Sequence, residues 1–272
     1  MKRCDANLRK TYLAAMAILV ATTAGGCANY PWMFSRTLTM DNEISREQLV
    51  VHSDFDNAEQ RRLFDQLTGM RPEILGTLAL PASSDPVHVY LFGDEARYSK
   101  YTTAKYPDMP ERRAFFVAEE DGLKVFAYSG EYVVEDLRHE VTHGYLHSIA
   151  PKIPLWLDEG LAEYFETADH RNAPHIEQLT SRLMQGGWRP NLARLESLTA
   201  VGDMEQIDYA ESWAWVHFLL NTNEARVNLL QAHLRAIRAD GSDRPLAEQL
   251  KQLGPRPEEE LMAYMMAMAP RP

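Results

Sequence analysis

The amino-acid sequence predicts an α+β fold, a small mixed sheet lobe followed by a mainly helical lobe. Every short β-rich run ends before about residue 130, and beyond that point apolar residues recur at helical spacing. A chain of 272 residues with 45% hydrophobic and 25% charged content is able to bury a core in one domain of two lobes or in two small domains. Its only long apolar run lies within the first thirty residues, which excludes a polytopic membrane protein. The formal net charge of −11 argues against nucleic acid as the main partner. Cys4 and Cys27, the two cysteines, both lie at the N-terminus, so no disulfide spans the folded body.

The chain opens with Lys2, Arg3, Arg9 and Lys10, and then runs uncharged and mostly apolar or small from Tyr12 to Ala24. A basic start, an apolar stretch of about 13 residues and a small-residue end form a secretory signal over residues 1–26. Ala24-Gly25-Gly26-Cys27 resembles a bacterial lipobox, whose cysteine is diacylated and becomes the first residue; two acyl chains suffice for stable anchoring. Ordinary cleavage at Gly26-Cys27-Ala28, giving a soluble periplasmic or secreted protein, is the other reading. Ala28 after the cysteine resembles outer-membrane sorting, so the lipoprotein reading places the body on the periplasmic face of that membrane. Loss of four basic residues and Asp5 takes the mature chain to about −14, so contact with the membrane is expected through the lipid alone.

Residues 27–47 read as a tether, polar with scattered aromatics, and 48–272 as the folded domain. In its α+β lobe, 48–130, Leu49 to His52 starts a strand, and Asn57 to Leu75 shows helical spacing through Leu63, Phe64, Leu67, Met70 and Ile74. Pro81 to Pro86 forms a loop before the strand Val87 to Phe92. Asp94 caps a helix running to about Ala104. Ala114 to Ala118 and Leu123 to Tyr128 are strands separated by the turn Glu119-Glu120-Asp121-Gly122. Helices are expected over Tyr132 to Ile149, Leu157 to Thr167, Ala173 to Met184 and Ala210 to Leu220. C-terminal helices follow in 223–272, over Val227 to Ala239, Pro245 to Leu253 and Glu258 to Met268. Met262, Met265, Met266 and Met268 read as packing rather than as a cofactor site.

Residues 131–222 hold the chemistry. His139-Glu140-Val141-Thr142-His143 is an HExxH pattern inside a helix, where histidines four apart share a face and reach one ion. Glu140 then stands beside the metal as a proton acceptor. Leu146 and Ile149 occupy the positions where a metzincin needs Gly and His, so that class is excluded. His147 drifts round the helix and reads as a neighbour of the site; His175 and His233 read as ordinary polar residues. For the third ligand the best candidate is Glu159 in Trp156-Leu157-Asp158-Glu159-Gly160-Leu161-Ala162-Glu163, because Pro151 and Pro154 turn the chain back along the first helix. Glu163, one turn on, is expected to accept the second N–H of a ligand histidine. Gly160 supports the assignment, since glycine inside a helix signals a close neighbour.

HExxH followed by Trp-Leu-x-Glu-Gly-x-Ala resembles the gluzincin zinc metallopeptidases, especially the aminopeptidase-N-like peptidase MA superfamily. The resemblance implies a thermolysin-like cleft between the two lobes and one Zn²⁺ per chain held by His139, His143 and Glu159, with Glu140 as general base. It also maps an oxyanion-binding tyrosine onto Tyr209, which precedes the apolar segment Ala210 to Leu219. No Gly-x-Met-Glu-Asn segment is present, and the spacing from His143 to Glu159 is shorter than in the large aminopeptidases, so N-terminal exopeptidase specificity is not implied. The expected function is hydrolysis of a peptide or protein substrate in the cell envelope. Two alternatives stay open: a non-catalytic envelope binding or assembly lipoprotein with the same fold, and a zinc hydrolase acting on a non-peptide amide.

Overall fold

Buried and half-buried residues alternate along Leu49–Ser53 and again along Val87–Phe92. The computed structural model describes residues 40–55, 58–241 and 244–269 and pairs these two runs as parallel strands of a five-stranded mixed sheet. The strands are β1 (Asn42–Arg46), β2 (Leu49–Ser53), β3 (Val87–Phe92), β4 (Ala114–Glu119) and β5 (Gly122–Tyr128), in the spatial order β1-β2-β3-β5-β4. Antiparallel hairpins β1–β2 and β4–β5 flank two parallel pairings, β2–β3 and β3–β5. Parallel neighbours need a crossover. Helix α1 (Ala58–Leu78) connects β2 to β3, and α2 (Glu95–Lys105) with β4 lies between β3 and β5. Asp94 caps α2 by accepting a hydrogen bond from the Arg97 N–H at 2.9 Å, as its position predicts.

The two faces of the sheet bury different things. Val87, Val89, Leu91, Phe116 and Val125 join the main core with the helices. Phe92, Phe115, Val117 and Phe126 form a smaller cluster with Tyr98 of α2 on the other face. Against the main-core face lies α3 (Val133–His147), whose Gly144 allows close approach: a Cβ there would stand 2.6 Å from Val87 Cγ1.

A mostly helical region follows: α4 (Leu155–Glu166), α5 (Ala173–Met184), the short α6 (Leu192–Glu196), a single 3₁₀ turn (Val201–Asp203), α7 (Gln206–Asn221), α8 (Glu224–Asp240), α9 (Leu246–Leu253) and α10 (Pro257–Met268). The chain turns at Pro151 and enters α4 from Pro154. Helix α4 is buried from Leu155 to Phe165, and α7 from Asp208 to Leu219. Helices so enclosed pack on every side, and α4 lies between α3 and α7. A reciprocal cap of Glu205 and Asp208 starts α7, and Gly241 closes α8 at φ 69°. Among the described residues no helix is long and apolar enough to cross a membrane.

The fold class is thus α+β, a mixed sheet followed by helices. Several boundaries differ from expectation. Strand β1 lies inside the stretch read as tether: only Ile44 of Asn-Glu-Ile-Ser-Arg is apolar, so its pairing with β2 is invisible to periodicity. The five residues of α6 are likewise too few for a helical period, although Leu192 and Leu195 are buried. Helix α1 continues through Pro72 to Leu78, and α4 and α7 begin at Leu155 and Gln206, upstream of their expected starts. The signal segment 1–26, Cys27, the tether up to residue 39 and Asn57 lie outside the described residues.

Within the helical region His217 of α7 takes a 2.7 Å contact from the Tyr264 hydroxyl at Nδ1. Burial, with the charges of Arg171 and His170, pushes its imidazole down to about 4. A depressed histidine contributes stability above its unfolded value of 6.5, which is lost as pH falls through 6.5 toward 4. The expected loss is up to about 3 kcal/mol. Urea titrations between pH 7 and 4 should show a slope shallower by about one proton in His217→Gln than in the wild type; equal slopes would remove this assignment.

Candidate metal centre

Residues four apart on α3 present His139 and His143 from one face, with ring centroids 4.9 Å apart. Helix α4 brings Glu159 against them: its Oε2 stands 3.5 Å from His139 Nε2 and 3.8 Å from His143 Nε2. All three side chains are buried. Both separations are too long for a good hydrogen bond. They are close to the roughly 3.4 Å between donor atoms that share a tetrahedral cation at about 2.0–2.1 Å.

The outer nitrogens face carboxylates. His139 Nδ1 lies 3.2 Å from Glu166 Oε2, and His143 Nδ1 lies 3.0 Å from Asp158 Oδ1. Asp158 also meets His147 Nε2 through Oδ2 at 2.8 Å, so His147 neighbours the site through Asp158. A carboxylate beside Nδ1 leaves Nε2 of each ring turned inward, the arrangement that orients a metal-binding histidine, although the close approach of His143 Nδ1 to Asp158 lacks hydrogen-bond geometry. Arg138 fixes the helix register by donating from Nε and Nη2 to the Glu166 and Phe165 carbonyls, both at 2.7 Å, at the end of α4.

Glu163 is placed differently from expectation. Its Oε2 accepts from Asn172 Nδ2 at 3.1 Å and meets His175 Nε2 at 2.9 Å; neither partner is a histidine of the HExxH helix. The antiparallel run of α4 along α3 carries Glu166 to His139 instead. Sequence reasoning missed Asp158 and Glu166 in this position, and it took His175 for an isolated polar residue.

Glu140 points both carboxylate oxygens into the interior, where neither has a hydrogen-bond partner. From the first turn of α7, Tyr209 adds a buried hydroxyl, also without a partner. With both Nε2 atoms and both Glu159 oxygens, seven buried polar atoms from three helices lack hydrogen bonds among the described residues. Leaving such groups unpaired costs about 1–3 kcal/mol each, so a cluster of them is explained by something bound between them. Two imidazole nitrogens and a carboxylate are the donor set that suits zinc.

The electrostatics agree with this geometry. Burial raises the Glu140 carboxyl above the usual range, against the pull of His139 and His143. Burial would lower the imidazoles of His139 and His143, but the carboxylates of Glu159, Glu166 and Asp158 prevail and hold both above the ordinary histidine value. Asp158, which burial would raise, is held low by His143 and His147. Burial and the Glu163 charge raise Glu166, while His175 holds Glu163 low. Burial, followed by the charge of Glu159, lifts the Tyr209 phenol well above its usual range. A cleft of about 1150 Å³, lined in part by Arg113, Asp136, His139, Glu163, Glu166 and His175, opens beside the cluster.

Compared with known protein families and with curated proteins, the sequence matches none significantly.

Proposed function

We propose that this chain is a zinc-dependent metallopeptidase of gluzincin type, with the cleft between its lobes as active site and a peptide or protein of the bacterial envelope as substrate. The observation that carries this reading is the convergence of His139, His143 and Glu159 beside the unpaired Glu140 carboxyl. His139 and His143 through Nε2 and Glu159 through Oε2 would hold one Zn²⁺, which when bound supplies Lewis acidity toward water and the peptide carbonyl. Glu140 accepts the proton of the attacking water at a carboxylate oxygen and returns it to the leaving amine nitrogen. Its raised pKa suits both halves of that transfer. The Tyr209 hydroxyl donates to the oxyanion. Asp158 and Glu166 hold the two rings in orientation. The N-terminal signal and Cys27 support a lipid-anchored protein on the periplasmic face of the outer membrane.

Metal analysis of the purified chain tests the centre. One zinc per chain is expected in the wild type. Asp158→Asn should weaken zinc binding about 10- to 100-fold, and His143→Ala and Glu159→Ala should weaken it further. A wild-type chain that takes up no zinc after reconstitution would overturn the reading.

A further inference from the structure

Among the described residues the exposed large hydrophobics are Tyr132, Met184, Leu253 and Met266, and of these Tyr132 is the one that lines the cleft beside the candidate centre. An apolar side chain standing singly on a surface is ordinary. What sets Tyr132 apart is that its ring is held in place. Arg113 lies over it, with Cζ 4.7 Å from the ring centroid. The guanidinium is itself fixed by a two-point pair with Asp136, Nε to Oδ2 at 2.8 Å and Nη2 to Oδ1 at 2.6 Å. Asp136 is buried on α3, and its backbone N–H donates to the Tyr132 carbonyl at 2.9 Å. Ring, cation and carboxylate thus close a bracket between the start of α3 and the segment before β4. Arg113 covers one face of a ring that is still 48% exposed, which leaves the other face to the cleft.

The bracket stands on the same wall as the metal-binding histidines. Tyr132, Asp136, His139 and His143 follow one another at steps of four, three and four, which is one stripe of a helix. His139 lines the same cleft as Tyr132, and the far wall is made by α5 and by Gln206, one turn before Tyr209. The helical rise from Tyr132 to His139 is about 10 Å. An extended peptide covers that distance in about three residues.

The chemistry of the open face follows from what lies behind it. A cation on one face of a π system draws electron density toward itself, so a second cation gains little on the other. An aromatic ring in offset stacking gains contact and buried area there. Because the ring is already fixed, little side-chain entropy is lost when a partner stacks on it.

We propose that Tyr132, bracketed by Arg113 and Asp136, is a substrate subsite on the cleft wall that selects an aromatic side chain about three residues from the scissile bond. The inference rests on the metallopeptidase reading above and names its substrate class: peptides with Phe, Tyr or Trp at that distance from the cleaved bond.

Peptides carrying one Phe in a small polar background, each matched by a copy with Leu in its place, test this on the full chain. Mass spectrometry of the products should place the cut about three residues from the Phe. The Phe member should be preferred by about 3- to 10-fold in kcat/KM. In Tyr132→Ala the preference should fall to near unity, and Tyr132→Phe and Tyr132→Trp should keep it. The loss should fall on KM rather than kcat, with zinc content unchanged, because the ring stands away from the reacting bond. A structural defect would lower kcat and zinc content as well, and that result would overturn the subsite. Calorimetric binding of the same peptides to Glu140→Gln, with and without Tyr132→Ala, reads the subsite without turnover. A Phe preference in binding that depends on Tyr132, in a wild-type chain that hydrolyses nothing, would sustain the subsite and sink the peptidase reading. Hydrolysis without a Phe preference, a preference that survives Tyr132→Ala, or no preference in either assay would overturn the subsite.

Discussion

Glu140→Gln is expected to lower peptide hydrolysis by about 10²- to 10⁴-fold while zinc content stays at the wild-type level. The substitution replaces one carboxylate oxygen by an amide nitrogen of nearly the same size, so packing on α3 changes little. What it removes is the proton acceptor. Glu140 is fully buried, neither of its oxygens has a hydrogen-bond partner among the described residues, and burial lifts its carboxyl above the usual range. A group so placed exchanges protons with a reacting water more readily than a solvated glutamate does. Metal retention follows from geometry, because the ring nitrogens and Glu159 converge on one another without Glu140 in the donor set. Measuring zinc content and kcat on the same preparations separates the two effects. Undiminished turnover in the zinc-loaded variant would move the base to another residue, and loss of zinc would make Glu140 part of the metal shell.

The reach of the sequence follows from what each signal depends on. The HExxH histidines were legible because a spacing of four on a helix is a local fact, and the prolines at 151 and 154 announced the turn that brings α4 back. Gly160 marked a close contact before any partner was visible. The assignment of carboxylates to imidazoles was not legible. Glu163 and Glu166 both lie near the His139 end of α4, and which one meets Nδ1 is set by the offset between α3 and α4. That offset depends on contacts made by residues far apart in the chain, such as Gly144 on Val87 and Arg138 on the end of α4. Asp158 was passed over for the same reason. It reads as a helix-start carboxylate, while its contacts to His143 and His147 exist only after packing. Strand β1 and helix α6 were missed because their few apolar residues gain meaning only from a partner surface.

Gly160→Ala should be destabilising by about 1–3 kcal/mol and should also impair the proposed metal site, whereas Gly69→Ala on α1 should stabilise by up to about 1 kcal/mol. The same chemical change takes opposite signs because its surroundings differ. At Gly69 nothing lies within 4 Å of the added carbon, so only the helix preference for alanine remains. At Gly160 the carbon would stand 2.6 Å from the Ser212 carbonyl oxygen, 2.8 Å from its carbon and 2.9 Å from Val216 Cγ2. Two of these are backbone atoms of α7, which no rotamer change can move aside. Helices α4 and α7 must therefore separate by a large part of an ångström, with a cost that exceeds the helix-propensity gain. The displacement reaches the centre directly, since Glu159 adjoins Gly160 and Tyr209 lies one turn before Ser212. Misplacement on that scale can cost about 10²-fold in rate. Thermal unfolding, zinc titration and kcat of Gly160→Ala, measured beside Gly69→Ala, would show whether the α4–α7 contact sets the position of Glu159. A Gly160→Ala protein as stable and as active as the wild type would mean that the two helices yield freely, and the ligand geometry would then need another support.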